Sequence, residues 1–247
     1  MAYRLPSAEN KARYVQEKFD QIASKYDLFN DLITQGQHRY WKRVLLRRIG
    51  ITSNARGLDL CCGTGDLALG ILPRLSGEGV LVAADFSANM LQAAQRRLRR
   101  HRDGGSTPVT VVLRGDAMRL PFQDDSFEFV TIGYGLRNVS HLDGCLAELL
   151  RVLRPGGVLG TLDTGRVRNR WLRPLAEFYL FRIVPRIGKL LQSGQEMFQY
   201  LPLSTVDYPH QERLRQMMEQ SGFTNVKMQE FLFGASVIHL AYKPDAS

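Results

Sequence analysis

The 247-residue sequence predicts an α/β fold, a mostly parallel sheet with helices on both faces, carrying N-terminal helices and a helical insertion. Three observations predict it. Short apolar runs alternate with helical patterns between residues 57 and 164, the mark of parallel strands joined by crossover helices. The first run enters the glycine turn "LDLCCGTGDLA", residues 58–68. Asp85 and Asp116 then stand where the second and third runs end. Such strand ends are where open α/β sheets bind ligands.

Each element has its own signal. Residues 7–34 read as helical, because Tyr14, Phe19, Ile22, Tyr26 and Phe29 recur at spacings of three to five. "HRYWKRVLLRRIG" predicts a second helix closed by Gly50. "GLDLCC" reads as a buried strand, "DLALGILPRL" as a helix and "GVLVAAD" as the next strand. "SANMLQAAQRRLRR" is a helix with Ser87 as its N-cap. "PVTVVLRGD" and "FEFVTIGYG" are strands three and four. "LDGCLAELLRVLRPGG" predicts a helix stopped by Pro155 and the two glycines after it, and "VLGTLDT" is the fifth strand. Residues 171–203 break the alternation: "WLRPLAEFYLFRIVPRIGKLLQ" is apolar and aromatic, interrupted by Pro174 and Pro185. "HQERLRQMMEQSGF" reads as one more helix, and "TNVKMQEFLF" with "SVIHLAYKP" as a closing hairpin. The prediction is one domain over 1–247, with a helical extension at 1–50 and a helical insertion at 164–203 that caps the substrate.

Composition narrows the function classes. Hydrophobic residues make up 44% and charged residues 23%, as in an ordinary globular chain. No stretch approaches the roughly 18 uninterrupted apolar residues of a membrane span. "MAYRLPSAENKARYVQEKF" has no apolar signal core, so a cytoplasmic chain is expected. Three cysteines make no disulfide framework, and the five histidines form no HxxxH or HExxH pattern, so no metal site is predicted. The adjacent Cys61 and Cys62 read as small core residues, one of them lining a pocket. The 33 Lys+Arg against 24 Asp+Glu favour an anionic partner. Two basic runs stand out, "RRLRRHR" at 96–102 and "GRVRNRWLR" at 165–173. The first reads as a solvated helix C-terminus that complements the dipole.

The glycine turn sets the cofactor. Strand, turn and helix together hold a polar or anionic group at a helix N-terminus. The spacing Asp59-x-Cys61-x-Gly63-x-Gly65 departs from the GxGxxG of dinucleotide sites. Asp66, at the helix start, would repel a pyrophosphate and suit a cationic group. Asp85 is placed to accept from ribose hydroxyls, and Asp116 with the Ala117 backbone to meet an adenine edge. S-adenosylmethionine (SAM) fits this set: a sulfonium, an ammonium, one ribose, one adenine and no phosphate.

Longer stretches carry a resemblance. They are "FDQIASKYDLFNDLITQGQHRYWKR", "LDLCCGTGDLA", "ADFSANML", "GDAMRLPFQDDSFEFVTIGYGLRNV" and "LLRVLRPGGVL". On these, the chain resembles the class I SAM-dependent methyltransferases. It is most similar to the ubiquinone/menaquinone biosynthesis C-methyltransferases (UbiE/MenG type), from about Phe19 to Tyr242. "CCGTGDLA", "DFSANML" and "GYGLRNV" resemble the cyanobacterial and plant branch, whose members methylate 2-phytyl-1,4-naphthoquinone. The resemblance implies a Rossmann-like, seven-stranded sheet and SAM contacts from Thr64, Asp85, Asp116 and Ala117. Asp59, Gly63, Gly65, Phe86 and Gly133 complete the expected cofactor set. Gly133 stands where many members carry a serine, and "LDTGRVRN" keeps Asp163 but lacks the Phe and Pro that usually follow.

The implied reaction is carbon methylation of a prenylated quinol ring, with a lipophilic quinol as partner. Such a ring carbon is nucleophilic when the hydroxyl beside it ionises. Arg137 is expected to stabilise that oxyanion, because arginine stays charged. Asn138 is expected to hydrogen-bond the same oxygen, and Tyr26 to close over the methyl or relay a proton. His141 ranks lower, as a base. The insertion suits an isoprenoid tail. Its basic flank, Arg166, Arg168, Arg170 and Arg173, suits a peripheral contact with anionic lipid. A homodimer is left open. The runner-up is a methyltransferase for another lipid or small molecule. Nucleic acid is disfavoured, because "GYGLRN" stands where base methyltransferases commonly carry a D/N-P-P-Y/F loop. A binding module without turnover is the non-enzymatic alternative.

Overall fold

A computed structural model describes residues 8–23, 25–101, 108–190 and 195–246. Arg102 of the first basic run, residues 191–194 of the insertion and residue 7 of the first predicted helix lie outside the described residues. Strands β1 (Arg56–Leu60), β2 (Val80–Asp85), β3 (Val109–Arg114), β4 (Phe127–Gly133) and β5 (Leu153–Thr164) run parallel. The hairpin of β6 (Thr224–Phe231) and β7 (Ser236–Tyr242) joins with β7 antiparallel to β5. The sheet order is β3-β2-β1-β4-β5-β7-β6.

The central strands are covered on both faces, which is why they read as continuous apolar runs rather than alternating ones. On one face Leu58, Leu60, Val130 and Ile132 pack under helices α6 (Leu142–Val152) and α10 (Gln211–Gln220). On the other, Leu81, Ala83, Phe129 and Leu162 meet α3 (Gln37–Ile49), α4 (Asp66–Ile71) and α5 (Ala88–Arg100). Gly57 in β1 is fixed by this packing: a Cβ there would stand 1.9 Å from the Phe129 ring on β4. A third cluster, Ile22, Phe29, Met90, Val184, Tyr200 and Leu201, has a different origin. It joins α1 (Ala8–Ile22) and α2 (Tyr26–Thr34) to the insertion helices α8 (Val184–Leu190) and α9 (Gln195–Asp207). Extension and insertion therefore share a core.

Three local expectations are corrected. The helical stretch at 7–34 is two helices, broken between Ile22 and Tyr26. Pro155 does not stop α6, which already ends at Val152; the segment Pro155–Gly157 lies inside β5. There the pairing shifts from Phe127↔Leu153 to Phe129↔Val158, and the irregularity leaves room for a residue with no N–H to give. Pro185 does not interrupt the insertion. A short helix α7 (Arg173–Phe178) widens into a π-helical turn over Tyr179–Ile183 and runs on into α8, with Pro185 in its first turn. A proline is tolerated where the helical register is already changed. Ser87 caps α5 as expected, its side chain accepting from the Met90 N–H at 3.1 Å.

Candidate active site

The sheet order reverses between β1 and β4, and the carboxyl ends of the strands open a crevice there. A cavity partly open to solvent lies there. Its walls are Cys61 and Gly63 after β1, Asp85, Phe86 and Ser87 after β2, and Gly115 to Met118 after β3. Gly133, Tyr134, Gly135, Asn138, Val139 and Ser140 follow β4. Ala12, Val15, Gln16 and Phe19 of α1 roof it, and Tyr26 at the start of α2 closes one side. A smaller recess shares Tyr26, Cys61, Gly63 and Gly133 and adds Lys42, Asp59, Thr64 and Asp66.

Asp85 and Asp116 face the larger cavity from neighbouring strand ends, as predicted. The Asp85 carboxylate accepts from the Gly63 N–H at 2.8 Å and the Ser87 N–H at 2.9 Å. It thereby ties the glycine turn to the α5 cap. Burial pushes its carboxyl above the ordinary range, opposed by those backbone hydrogen bonds. Asp116 accepts from the Met118 N–H at 2.9 Å. Among the described residues neither acid pairs with a Lys or Arg, and none of the residues lining the larger cavity is a Lys or Arg. A phosphate would meet carboxylates and no cation. A group that donates hydroxyl and amino hydrogens meets two acceptors with lone pairs to spare. Phe86, Ala117 and Met118 offer apolar walls for a flat ring. The donor set fits SAM and does not fit a pyrophosphate.

The adjacent cysteines are not a reactive pair. Cys61 lines the cavity and Cys62 is buried beside it. Burial pushes both thiols well up, so they keep their protons. Their contribution is to the backbone. Cys61 (φ 54°) and Tyr134 (φ 59°) both adopt the left-handed conformation, turning two adjacent strand ends around the cavity.

Other predicted residues serve the site from behind. Asp66 does not present a free charge to the cofactor, because Lys42 Nζ (2.9 Å) and Arg97 (2.7 Å) hold it and keep its carboxyl well below the usual range despite burial. Thr64 donates to Asp27 at 2.6 Å and accepts from Arg97 at 3.0 Å. It lines the smaller recess, not the larger cavity. Arg97 thus departs from the solvated helix end expected of its run; it is a hub joining α2, the glycine turn and α4. Gly65 lines neither space. With φ 86°, it lets α4 approach α5, where a Cβ would stand 3.3 Å from that of Ala94. At Gly133 the room a serine would use is filled by Leu67, whose Cδ1 lies 2.9 Å from a built Cβ.

Asp59 is fully buried. It accepts from Thr131 Oγ1 at 2.7 Å and from the Ala68 N–H at 3.0 Å, which pins the start of α4 to β1 and β4. Burial outweighs these bonds and pushes its carboxyl from 3.8 up to about 7. The native state therefore holds this proton longer than the unfolded chain. Its contribution to stability is full below about 3.8 and is lost as pH rises through about 7. Urea unfolding at a series of pH values should show Asp59→Asn with a flatter profile than wild type across that window. The difference in slope should reach up to about 1.4 kcal/mol per pH unit. Parallel profiles would overturn the assignment.

The structure brings two of the three predicted catalytic residues into the cavity wall. Tyr26 and Asn138 line it. Burial raises the Tyr26 hydroxyl, so it keeps its proton and is a donor rather than a base; the Arg137 charge and a hydrogen bond with Asn30 oppose that shift. The Asn138 amide is held at both ends, donating to the Tyr134 carbonyl (3.2 Å) and accepting from the Tyr200 hydroxyl (3.1 Å). Arg137 lies one layer deeper. It is buried and ion-paired with buried Asp163 at 2.5 Å, and its Nε–H has no acceptor among the described residues. The guanidinium stands 5.4 Å from the Tyr134 ring centroid. The Arg137 charge acts on the Tyr26 hydroxyl from behind the cavity wall. His141 is exposed, caps α6 and does not line the cavity.

Sequence reasoning missed the α1 roof, Met118, Val139, Ser140, and the Asp27–Arg97–Lys42 network. Apolar spacing along α1 marks a buried face but not what lies beneath it. The Arg137–Asp163 pair did have a signal: both residues follow or end adjacent parallel strands, and opposite charges at neighbouring strand ends meet.

Comparison with known proteins adds to this geometry. A family model described as the ubiE/COQ5 methyltransferase family matches residues 7–243. A demethylmenaquinone methyltransferase of Leptospira interrogans is 44% identical over 246 residues, covering 98% of this chain and 97% of the relative. One of Staphylococcus aureus is 36% identical over 238 residues, covering 96% of each. Among solved structures, a SAM-dependent methyltransferase of Thermotoga maritima superposes with a TM-score of 0.65 at 17% identity, over 92% of this chain and 99% of that one. Phosphoethanolamine N-methyltransferase 2 of Haemonchus contortus, solved with S-adenosyl-L-methionine, gives 0.59 at 15% identity, over 83% of this chain and 53% of that one.

Proposed function

This chain belongs to the ubiE/COQ5 methyltransferase family, and on that premise we propose that it methylates a ring carbon of a prenylated naphthoquinol, with SAM as methyl donor. The observation that carries the reading is the nearly full-length identity to relatives named demethylmenaquinone methyltransferase. The site supports it from below.

Bound in the crevice, SAM supplies an electrophilic methyl on a sulfonium. Asp85 would accept from its ribose hydroxyls, and Asp116 with the Ala117 backbone would meet the adenine edge. Gly63 allows close backbone approach. Tyr26 and Asn138 orient the acceptor from the opposite wall. The protonated Tyr26 hydroxyl and the remaining Asn138 amide hydrogen donate to the acceptor's ring oxygen. Arg137, behind them, adds positive charge near that oxygen and favours its ionised form. The hydroxyl's proton passes to water, and the ionised oxygen makes the neighbouring carbon nucleophilic. Methyl transfer to that carbon would release S-adenosylhomocysteine, and loss of the carbon's own proton to water restores the quinol.

The relatives favour a polyprenyl tail, while "CCGTGDLA", "DFSANML" and "GYGLRNV" favour a phytyl tail. Labelled SAM offered with demethylmenaquinol and demethylphylloquinol side by side, under reducing conditions, decides between them. Label is expected on the naphthoquinol ring, and the ratio of rates names the tail. Bound SAM with label on neither ring would move the reading to another lipid acceptor.

A further inference from the structure

The insertion carries an apolar surface that the fold does not use. Trp171 is 76% exposed, Leu175 66% and Phe178 56%, and Phe181 follows at 41%. Leu175, Phe178 and Phe181 recur at spacings of three along α7 and its π-helical continuation, and Trp171 stands in the turn just before α7. Single exposed apolar residues are ordinary; a contiguous aromatic stripe on a monomer marks a contact surface. The charges beside it have one sign. Arg170, Arg173, Arg182, Arg186 and Lys189 are exposed, and none forms an ion pair among the described residues. Glu177 is the one acid between Arg166 and Lys189. Arg170 lies over the Trp171 ring at 4.5 Å. Arg166 and Arg168, also exposed, are engaged by the Val206 carbonyl and by Glu230 and take no part.

We propose that this face of the insertion docks on an anionic lipid bilayer, with Trp171, Leu175 and Phe178 entering the headgroup boundary and the arginines and Lys189 on lipid phosphates. An aromatic and aliphatic stripe flanked by basic residues is the arrangement that lies in a membrane interface. Charge decides against a second copy of the chain. A two-fold contact through this face would set the basic rim against itself, with only Glu177 to offset it. No helix of the described residues is long and apolar enough to cross a membrane, so the contact is peripheral. The proposal does not depend on the acceptor, and its test does not use activity.

The test uses the full chain with vesicles of phosphatidylcholine alone and of phosphatidylcholine mixed with phosphatidylglycerol. The chain has two tryptophans, of which Trp41 is buried and Trp171 exposed, so Trp171 reports the contact. Anionic vesicles should float the protein and shift Trp171 emission to the blue; neutral vesicles should do neither. Arg170→Gln with Arg173→Gln should weaken binding about fivefold for each charge removed. Trp171→Ser with Phe178→Ser should abolish flotation while the thermal midpoint stays unchanged, because both side chains are exposed. Absence of flotation on anionic vesicles overturns the proposal. So does equal binding to neutral vesicles. Concentration-dependent self-association that the Trp171→Ser, Phe178→Ser variant removes, without vesicle binding, would assign the face to a second copy instead.

Discussion

Asp163→Ala is expected to be the most damaging single substitution in the site, destabilising the fold by about 3–5 kcal/mol. The pair it breaks is buried on both sides, with 6% and 4% of the side chains exposed. Removing the carboxylate strands the Arg137 guanidinium in a low-dielectric environment that already leaves its Nε–H unpartnered. A domain of this size loses roughly 2–4 °C of midpoint per kcal/mol, so the melt should fall by about 6–20 °C. Calorimetry of the purified variant measures it; a midpoint within about 2 °C of wild type would show that the pair is not worth what its burial implies. The double variant Arg137→Met with Asp163→Leu separates scaffold from chemistry. With neither charge left unpaired, the fold should recover most of its stability. Turnover should stay down by on the order of 100-fold or more, because the positive potential behind Tyr26 is gone. Recovered turnover alongside recovered stability would reduce Arg137 to a structural strut.

What the sequence made legible follows from range. β1, β2, β4 and β5 could be read because a strand buried on both faces is apolar throughout, and β3, an edge strand with Val109 and Val111 exposed, because its run is β-branched; the glycines and prolines between runs punctuate them. Asp85 and Asp116 were legible for the same reason: once the strand ends are located, the residues there face the crevice. Charge networks were not legible. Arg97, Asp27, Thr64, Asp66 and Lys42 come from four helices and a turn, and Asp27 and Arg97 stand 70 residues apart. Nothing periodic joins them. The Asp66 reading shows the cost: a carboxylate at a helix start looks free in a sequence, while two cations have already neutralised it. Proline was over-read twice. Pro155 sits in a bulge and Pro185 after a π turn, where backbone pairing is already irregular.

Asp85→Ala should remove cofactor binding while leaving the protein folded. Asp85 does two jobs with one carboxylate. Its oxygens accept from the Gly63 and Ser87 N–H groups, which shapes the glycine turn, and the same oxygens face the cavity with lone pairs left over. A hydrogen bond to a charged acceptor is worth about 1.5–3 kcal/mol, so two ribose hydroxyls together give at least about 3 kcal/mol. Affinity for S-adenosylhomocysteine, read by calorimetry, should then fall by on the order of 100-fold or more. With Asp116 at the adenine edge as proposed, Asp116→Ala should cost nearer to tenfold, about the value of one hydrogen bond. Loss of turn geometry alone could mimic the Asp85 result, and a cycle with the 2′-deoxy analogue tells them apart. If the carboxylate meets the ribose, the deoxy analogue binds wild type more weakly than its parent does, and Asp85→Ala binds the two alike. If the variant only loosens the turn, the deoxy penalty survives in it undiminished. A folded Asp85→Ala protein that binds within about threefold of wild type would place the ribose elsewhere. It would leave Asp85 as a cap for the glycine turn, held there by the same two backbone hydrogens.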